Sequence, residues 1–317
     1  MTDFFNTLLS LSFSGSIVAI TLLIIRIFGK DRLSKSWQYY IWLVVLLRIT
    51  LPVTFNLNIV DSLFQKPGEF TPQFNIHLLL RTNIGVEVGL SRNLWILWGC
   101  GFFIMITMRF YQLYIFNKTI KTNSTLVADK TILNVFNQCL LEMKIERNIA
   151  VYKSDFVMTP MLVGIINPII LLPVWLSNEN ELHYVFIHEL VHYKRKDLWY
   201  KWFVQFLLCT HWFNPFIHFI AHRIDRDCEL SCDEAVIGNL DIQEIKEYGA
   251  TIIEIANLSR GPVEILAATM CDEKKIIKER LRAIKKYKKT SNLAPILKAI
   301  ILIIILTISS VMGALVT

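Results

Sequence analysis

The sequence predicts a polytopic α-helical membrane protein with four transmembrane helices and an inserted cytoplasmic α+β domain. Hydrophobic residues make up 54% of the 317 residues, and the mean hydropathy is +0.45, whereas ordinary soluble domains are about 45–50% apolar. Four apolar runs approach or exceed the length needed to cross a bilayer. Residues 117–293, between the third and fourth runs, are instead polar or amphipathic. This pattern is typical of a membrane bundle carrying one water-exposed domain.

The predicted spans cover about residues 4–28, 37–52, 94–116 and 294–317. The first has no small-residue cleavage pattern after it, which indicates a retained helix rather than a signal peptide. The second is short, and Arg48 near its end can snorkel or pair within the bundle. Trp95 and Trp98 open the third run, as suits a membrane interface. Residues 53–92 show no strong period and are expected to form an extracellular loop.

Basic residues set the expected orientation. Lys30, Arg32 and Lys35 lie between the first two runs, and residues 285–289 include four lysines just before the last run. Because cytoplasmic loops are enriched in Lys and Arg, both segments belong inside. The N-terminus and the C-terminus then lie outside, and residues 117–293 are cytoplasmic. The net charge of +7 could indicate nucleic acid, but cations beside apolar runs favour an anionic membrane surface.

Helical and strand periodicities alternate within residues 117–293. Residues 157–172 read as short strands, and such a strand could form an edge above a following helix, where a peptide can add by strand pairing; an ordinary β-ribbon is the alternative. Asn178 or Ser177 can cap that helix, expected to run to about Cys209. The aromatic segments 199–208 and 212–219 suit helices at the inner leaflet, or else a soluble core. The other expected elements are a strand at 149–152 and helices at 128–143, 216–239, 241–258 and 272–286.

The helix after Asn178 contains His188, Glu189 and His192. Residues four positions apart lie on the same helix face, so both imidazoles point the same way. Two neutral imidazoles at this spacing can bind Zn²⁺, and the adjacent glutamate can serve as the general base toward an attacking water. The alternative for the pentapeptide alone is an amphipathic helix with two exposed histidines.

A catalytic zinc site needs a third protein ligand. Glu229 and Asp233 are again four positions apart on a predicted helix, 37 positions after His192. Glu229 is the predicted third ligand. Asp233 is the predicted acceptor for the spare ring N–H of a ligand histidine, which would fix its tautomer.

Each of these assignments has an alternative. Glu229 could form a salt bridge to Arg223 or Arg226, and Asp233 could be a surface carboxylate. Cys228 and Cys232 could be thiolate ligands of a closed structural zinc site, although no second cysteine pair accompanies them. The six cysteines show no framework spacing and are expected to be reduced thiols.

Four segments together resemble the BlaR/MecR class of membrane metallopeptidases. They are MLVG with Pro168 and IILLP within 161–173, HELVHYKRK at 188–196, HWFNP at 211–215 and DCELSCD at 227–233. The resemblance covers nearly the whole chain in order. The best-known branch of that class carries a penicillin-binding sensor domain after the last membrane helix, whereas the sequence given ends at Thr317.

The resemblance implies a gluzincin-like zinc metallopeptidase domain at residues 117–293 in a bacterial plasma-membrane protein. Its ligands to Zn²⁺ would be His188, His192 and Glu229, and Glu189 would be catalytic. The enzyme would cleave itself, a cytoplasmic repressor or both in response to an extracellular cell-wall or antibiotic signal.

Self-cleavage is expected between Glu264 and Asn292, where a plain linker is the alternative. The expected partners are membrane lipid and the repressor, with a homodimer as an option and no direct nucleic-acid contact. The alternative functions are a non-catalytic signalling scaffold with structural zinc and a housekeeping membrane-protein protease.

Overall fold

The computed structural model describes residues 2–29, 33–51, 91–258, 267–287 and 294–316. Within these ranges, the helices and strands form three main groups, each with its own apolar core, and a smaller fourth core surrounds Leu171. The first group is a bundle of apolar helices, the second packs one helix pair on a small sheet, and the third joins the metal-motif helix to the C-terminal helices. The predicted loop at 53–92 lies outside the described residues except for its last two positions.

The apolar bundle contains five helices: α1 (Thr2–Gly29), α2 (Lys35–Tyr40), α3 (Trp42–Thr50), α4 (Ser91–Asn123) and α11 (Ala294–Val316). Two described stretches, Thr7–Ile27 and Leu94–Asn123, are long and apolar enough to cross a membrane. The apolar part described within α11 is shorter, Lys298–Ser309. The count of four spans therefore stays a prediction. The predicted second span consists of two short helices, α2 and α3, which meet at Ile41.

The centre of this bundle is the helix pair α2–α3. Tyr39, Trp42 and Val45 are fully buried there, and they pack with side chains of α1 and of two later helices, α7 (Asp197–Thr210) and α8 (Pro215–Ile237). These buried aromatics indicate protein packing rather than a membrane-interface belt. The bundle thus joins the N-terminal helices directly to the helix that carries Glu229.

The helix expected to run from Asn178 to about Cys209 is in fact two helices. Helix α6 (Glu179–Arg195) ends at Lys196, which adopts a left-handed conformation with φ of 59°, and α7 begins at Asp197. Such a conformation reverses the chain direction at a helix end, although lysine is an unusual residue for it. The stretch KRKD at 194–197 contains neither glycine nor proline, so no local signal predicts a helix break at this position.

Helices α7 and α8 form a hairpin that packs along the candidate spans. At its turn, the Asn214 amide donates to the hydroxyls of Ser12 and Ser16 in the middle of α1, at 2.7 and 3.0 Å. Trp98 of α4 donates to the Thr210 carbonyl at 2.8 Å. The turn of the hairpin therefore contacts the middle of α1. The aromatic segments 199–208 and 212–219 had instead suggested helices lying across the inner ends of the membrane helices. Sequence alone cannot separate aromatics that face lipid headgroups from aromatics packed between apolar helices.

Close contact at this turn depends on Gly101. A Cβ atom at that position would stand 2.4–2.6 Å from ring atoms of Trp212, closer than any real contact allows. The Trp212 indole also donates to the Trp98 carbonyl at 3.3 Å. The turn of the hairpin therefore packs closely against the first part of α4.

The sheet has the strand order β1-β2-β4-β3, from β1 (Ser124–Leu126), β2 (Ala150–Ser154), β3 (Met161–Val163) and β4 (Ile169–Pro173). Strands β2 and β4 are parallel, and the other pairs are antiparallel. Strand β3 is an edge strand, as the sequence allowed. Gly164 turns the chain after it with φ of 88°, and a Cβ there would lie 2.3 Å from the Asn167 carbonyl oxygen.

The remaining helices enclose the metal motif. Helix α5 (Lys130–Glu142) buries Ile132, Phe136 and Cys139 between the sheet and α6. Helices α9 (Ile242–Leu258) and α10 (Ala267–Lys285) pack against α6 and α8 on the other side. Helix α10 starts five residues before the predicted start at Asp272, so residues 267–271, which lie within the predicted self-cleavage segment, are helical.

Candidate metal centre

Helix α6 supplies the first two candidate ligands. Asn178 caps it as predicted, accepting from the Asn180 amide at 3.1 Å. His188, Glu189 and His192 are 9%, 7% and 8% exposed. Apolar residues around them pack on the sheet on one side and on α9 and α10 on the other. The alternative of two exposed histidines on an amphipathic helix is therefore wrong.

Helix α8 crosses α6 and brings Glu229 to both imidazoles. The Nε2 atoms of His188 and His192 are 3.2 Å apart, and Glu229 oxygens lie 3.4 Å from the first and 3.7 Å from the second. Ligand atoms bound tetrahedrally to Zn²⁺ at about 2.0–2.1 Å stand about 3.4 Å from one another. The three side chains fit one face of such a tetrahedron and could hold a divalent metal.

A second group of candidate ligands contains cysteine. Cys232 Sγ lies 3.5 Å from His188 Nδ1, and Cys228 Sγ lies 3.9 Å from His192 Nδ1. Ligand atoms of His188, His192 and Cys232 are close enough together to bind a metal. Both Nδ1 atoms, however, already have shorter hydrogen-bond partners, whereas the Nε2 atoms lie 3.2 Å from each other and within 3.4 and 3.7 Å of Glu229 oxygens. The Nε2 side is therefore the better metal position.

The two arginines named as alternative partners of Glu229, Arg223 and Arg226, contact other residues. Arg226 forms an ion pair with Glu279, and Arg223 lies over the Phe219 ring. The cations near Glu229 are Lys201 at 3.9 Å and Arg280 at 3.7 Å.

Glu189 is held by the edge strand. The Leu162 amide donates to its Oε2 at 2.8 Å. In the antiparallel pairing, Leu162 lies opposite Ile170 of β4, and its amide faces away from β4 toward α6. One carboxylate oxygen of Glu189 is thus fixed by the backbone of β3.

A cleft of about 360 Å³ opens beside this edge strand. Leu162, Gly164 and Pro168 line it on the strand side, and His192 and Trp199 line it on the helix side. The cleft therefore connects the unpaired edge of β3 with the metal-binding motif. An extended peptide in it could pair with β3 and place a carbonyl near the imidazoles.

On one side of the site, a carboxylate orients His192 directly. Asp197, the first residue of α7, accepts from His192 Nδ1 at 2.7 Å. Its other oxygen accepts from the Tyr39 hydroxyl of α2 at 3.2 Å, and Arg195 lies over the Tyr39 ring. The contact between Asp197 and His192 Nδ1 fixes the tautomer that leaves His192 Nε2 free for a metal.

On the other side, a tyrosine stands between His188 and its carboxylate. The Tyr248 hydroxyl of α9 is 2.8 Å from His188 Nδ1 and donates to Asp233 Oδ1 at 2.6 Å. Arg280 of α10 donates to both Asp233 oxygens, at 2.8 and 2.7 Å. Asp233 itself lies 3.6 Å from His188 Nδ1, so the predicted contact is made through Tyr248. With its side chain 2% exposed, Asp233 is not a surface carboxylate.

The electrostatics of the site favour a cation. Burial alone would raise the pKa of Glu229, but hydrogen bonding to His188 and the charges of His192 and Arg280 hold this pKa well below its usual range. Burial alone would lower the pKa of His188, but Cys232 and Glu229 raise it to about 10. The same surroundings would attract a divalent metal, which would compete with protons for these nitrogen atoms.

Two acidic residues on α8 attach the ligand helix to the bundle. Asp227 accepts from Arg26 at 2.6 and 2.9 Å and from the Trp42 indole at 2.7 Å. Glu234 accepts from the amides of Lys35 and Ser36, both at 2.9 Å. Because Glu229 lies between these two contacts, its position is fixed by α1, α2 and α3.

All five residues singled out from sequence therefore meet at one place: His188, Glu189, His192, Glu229 and Asp233. Four others were missed. Tyr39, Asp197, Tyr248 and Arg280 carry no signal in the motif. Asp197 follows the histidine pair closely enough to be found, but only if the helix break at Lys196 had been anticipated.

Comparison with known proteins identifies the family and relatives of this chain. A family model described as BlaR1 peptidase M56 matches residues 6–284. The regulatory protein BlaR1 of Bacillus licheniformis is 30% identical over 205 residues, covering 64% of this chain and 33% of that protein. The methicillin resistance mecR1 protein of Staphylococcus aureus is 24% identical over 305 residues, covering 89% of this chain and 52% of that protein. The chain thus spans between a third and about half of these curated relatives.

Proposed function

The chain belongs to the BlaR1 peptidase M56 family, and from this premise we propose that it is a membrane-embedded regulatory zinc metalloendopeptidase. We propose that it cleaves itself, a cytoplasmic repressor or both when an extracellular signal reaches its membrane helices. The observation that carries the proposal is the convergence of two imidazole Nε2 atoms and one carboxylate beside Glu189. The names of the relatives describe regulation and methicillin resistance for those proteins, which supports a regulatory role here.

Each residue of the site has one task in this proposal. His188, His192 and Glu229 would hold Zn²⁺, which when bound supplies a Lewis acid for the peptide carbonyl. Glu189 takes a proton from the attacking water and passes it to the leaving amine. The Leu162 amide keeps the Glu189 carboxylate in place while this transfer occurs.

The cleft beside β3 would receive the substrate. An extended peptide could run along β3 and past His192 and pair with backbone groups of this edge other than the Leu162 amide, so backbone contacts would supply part of the affinity. Such recognition suits a segment that is unfolded or unfolds easily, whether from another protein or from this chain. Residues 264–292 are the proposed self-cleavage segment. Part of it is helix α10, so a cut inside that helix requires local unfolding first.

The first prediction is that Glu189→Gln abolishes cleavage and keeps the metal. Losing a general base lowers the rate by about 10²–10⁴-fold, while the three ligands are untouched. The full chain is purified in detergent micelles, metal content is measured, and fragments of the chain and of added β-casein are identified by mass spectrometry. Glu229→Gln should lose both metal and cleavage, and Glu254→Gln, an exposed residue of α9, should lose neither.

Three outcomes would contradict this proposal. A Glu189→Gln protein as active as wild type would place the base elsewhere. Wild type that binds zinc fully and cleaves nothing would favour the non-catalytic scaffold. Full metal occupancy in Glu229→Gln would favour a cysteine ligand. A wild-type cut between Glu264 and Asn292 that Glu189→Gln lacks would support self-cleavage.

We also propose that residues 117–293 face the cytoplasm and both termini face outside, because the basic segments flank the apolar helices. The exposed native Cys100 is first replaced by serine. Single cysteines are then introduced between residues 53 and 90, or at the exposed Asn148. An impermeant thiol reagent added to intact cells should label the first group and spare the second. Strong labelling of Asn148→Cys would reverse the orientation.

A further inference from the structure

We propose that Arg280 is a positioning residue of the metal site, acting on His188 through Asp233 and Tyr248. The inference rests on the metal site of the proposed function but not on peptidase activity. Arg280 lies on α10, 47 positions after Asp233 in the chain, and outside every motif that marked the site. Its guanidinium nevertheless binds both oxygens of Asp233, at 2.8 and 2.7 Å.

The donor inventory fixes the direction of this chain of hydrogen bonds. A guanidinium has donors only, so both Asp233 oxygens accept. The Tyr248 hydroxyl has one hydrogen, and at 2.6 Å from Asp233 Oδ1 it donates that hydrogen there. Its oxygen must then accept from His188 Nδ1 at 2.8 Å. His188 therefore keeps a proton on Nδ1, and Nε2, which faces Glu229 and His192, is the nitrogen that can bind a metal.

Arg280 also prevents a competing arrangement. Asp233 Oδ1 stands 3.6 Å from His188 Nδ1, and it could reach the imidazole only by giving up its contacts with Arg280 and Tyr248. The bidentate contact of the guanidinium fixes the plane of the Asp233 carboxylate, which a lysine ammonium could not do. Arg280 thus acts on the His188 imidazole through two intervening side chains, Asp233 and Tyr248.

A simpler role for Arg280 is a countercharge to Glu229, whose Oε2 lies 3.7 Å away. The two roles predict opposite results. Removing a cation beside a ligand carboxylate increases the attraction of the site for a metal ion. Releasing the orientation of a ligand histidine weakens metal binding, typically about 10–100-fold.

The position of α10 gives this role a structural consequence. The helix ends at Lys285, and α11 begins at Ala294, so eight residues separate it from the last apolar helix. Ile277, Leu281 and Ile284 pack this helix against α6, α8 and α9. The segment leading to α11 therefore contributes a side chain to the support of the metal site, and a shift of α10 would release Asp233.

The test is the zinc affinity of the purified full-length chain, measured by competition with a chromophoric chelator. Arg280→Gln should lower affinity about two- to tenfold, no more than the loss of the Tyr248 hydroxyl through which it acts, and Arg280→Lys, which keeps the charge but loses the bidentate contact, should fall between Gln and wild type. In the Tyr248→Phe background, Arg280→Gln should cost little more, because the path is already broken. The visible spectrum of the Co²⁺-loaded protein should change in the same variants.

Arg282→Gln, an exposed position on the same helix, is the matched control and should bind as wild type does. Circular dichroism of the metal-free proteins shows whether α10 still folds, and Arg280→Lys serves if the glutamine variant does not. Unchanged or higher zinc affinity in Arg280→Gln would overturn the proposal, as would a full additional loss in the Tyr248→Phe background. None of these readouts depends on peptide cleavage, so the proposed activity can fail while this proposal stands.

Discussion

His192 meets a carboxylate directly, whereas His188 meets one through a tyrosine. On the His192 side, Asp197 is five positions away in sequence and bonds the ring at 2.7 Å. On the His188 side, three residues from three helices form a line that ends in a guanidinium. The direct contact depends only on the turn after α6. The longer chain of hydrogen bonds depends on the relative positions of α8, α9 and α10. The His188 side is therefore the one that a rearrangement of the C-terminal helices would reach first.

The two supports also lead to different parts of the bundle. Asp197 is held by Tyr39 of α2, which is buried beside α7 among the N-terminal helices. Asp233 is held by Arg280 of α10, which precedes α11. The two candidate ligand histidines are thus supported from two different stretches of the chain, both of which lead into the same apolar bundle.

The largest expected difference between the two sides is in their carboxylates. Asp197→Asn should lower zinc affinity about 10–100-fold, because the contact that orients His192 and raises its basicity is weakened directly. Asp233→Asn should cost less, because Tyr248 remains to accept from His188. Chelator competition on the purified full chain measures both. Asp155→Asn, an exposed residue after β2, is the control, and a larger loss for Asp233→Asn would reverse the comparison.

The smaller expected difference is in the tyrosines. Tyr248→Phe removes the direct partner of His188 Nδ1 and should lower zinc affinity about two- to tenfold, the usual net value of one neutral hydrogen bond. Tyr39→Phe leaves Asp197 on His192 and should change affinity by less than about threefold. The same competition assay ranks the pair. Equal losses would mean that Asp197 depends on Tyr39 as strongly as His188 depends on Tyr248.

Local periodicity explains what the sequence could predict about the site. His188, Glu189 and His192 share a short stretch of one helix, and Glu229 and Asp233 share another, so a spacing of four placed each pair on one face before any fold was known. The cap at Asn178, the helices at 128–143, 216–239 and 241–258, and the strands around 149–172 follow from patterns of the same kind. The structure contains all of them to within a few residues.

The sequence was less informative where two elements had to meet. The left-handed Lys196 breaks a helix without a glycine or proline, and the aromatics of α7 and α8 pack along apolar helices whose positions no local pattern encodes. Whether an aromatic helix faces lipid or protein depends on its neighbours, which are distant in sequence.

The sequence by itself determined which residues can bind a metal, because ligand chemistry and helical spacing are local properties. Only the tertiary structure decided what orients them. Tyr39 lies 158 positions from Asp197, Arg280 lies 47 positions from Asp233, and Glu189 is held by a backbone amide that every residue except proline possesses. A hydrogen bond between distant segments leaves no periodic trace, because its geometry is created by the packing of whole helices.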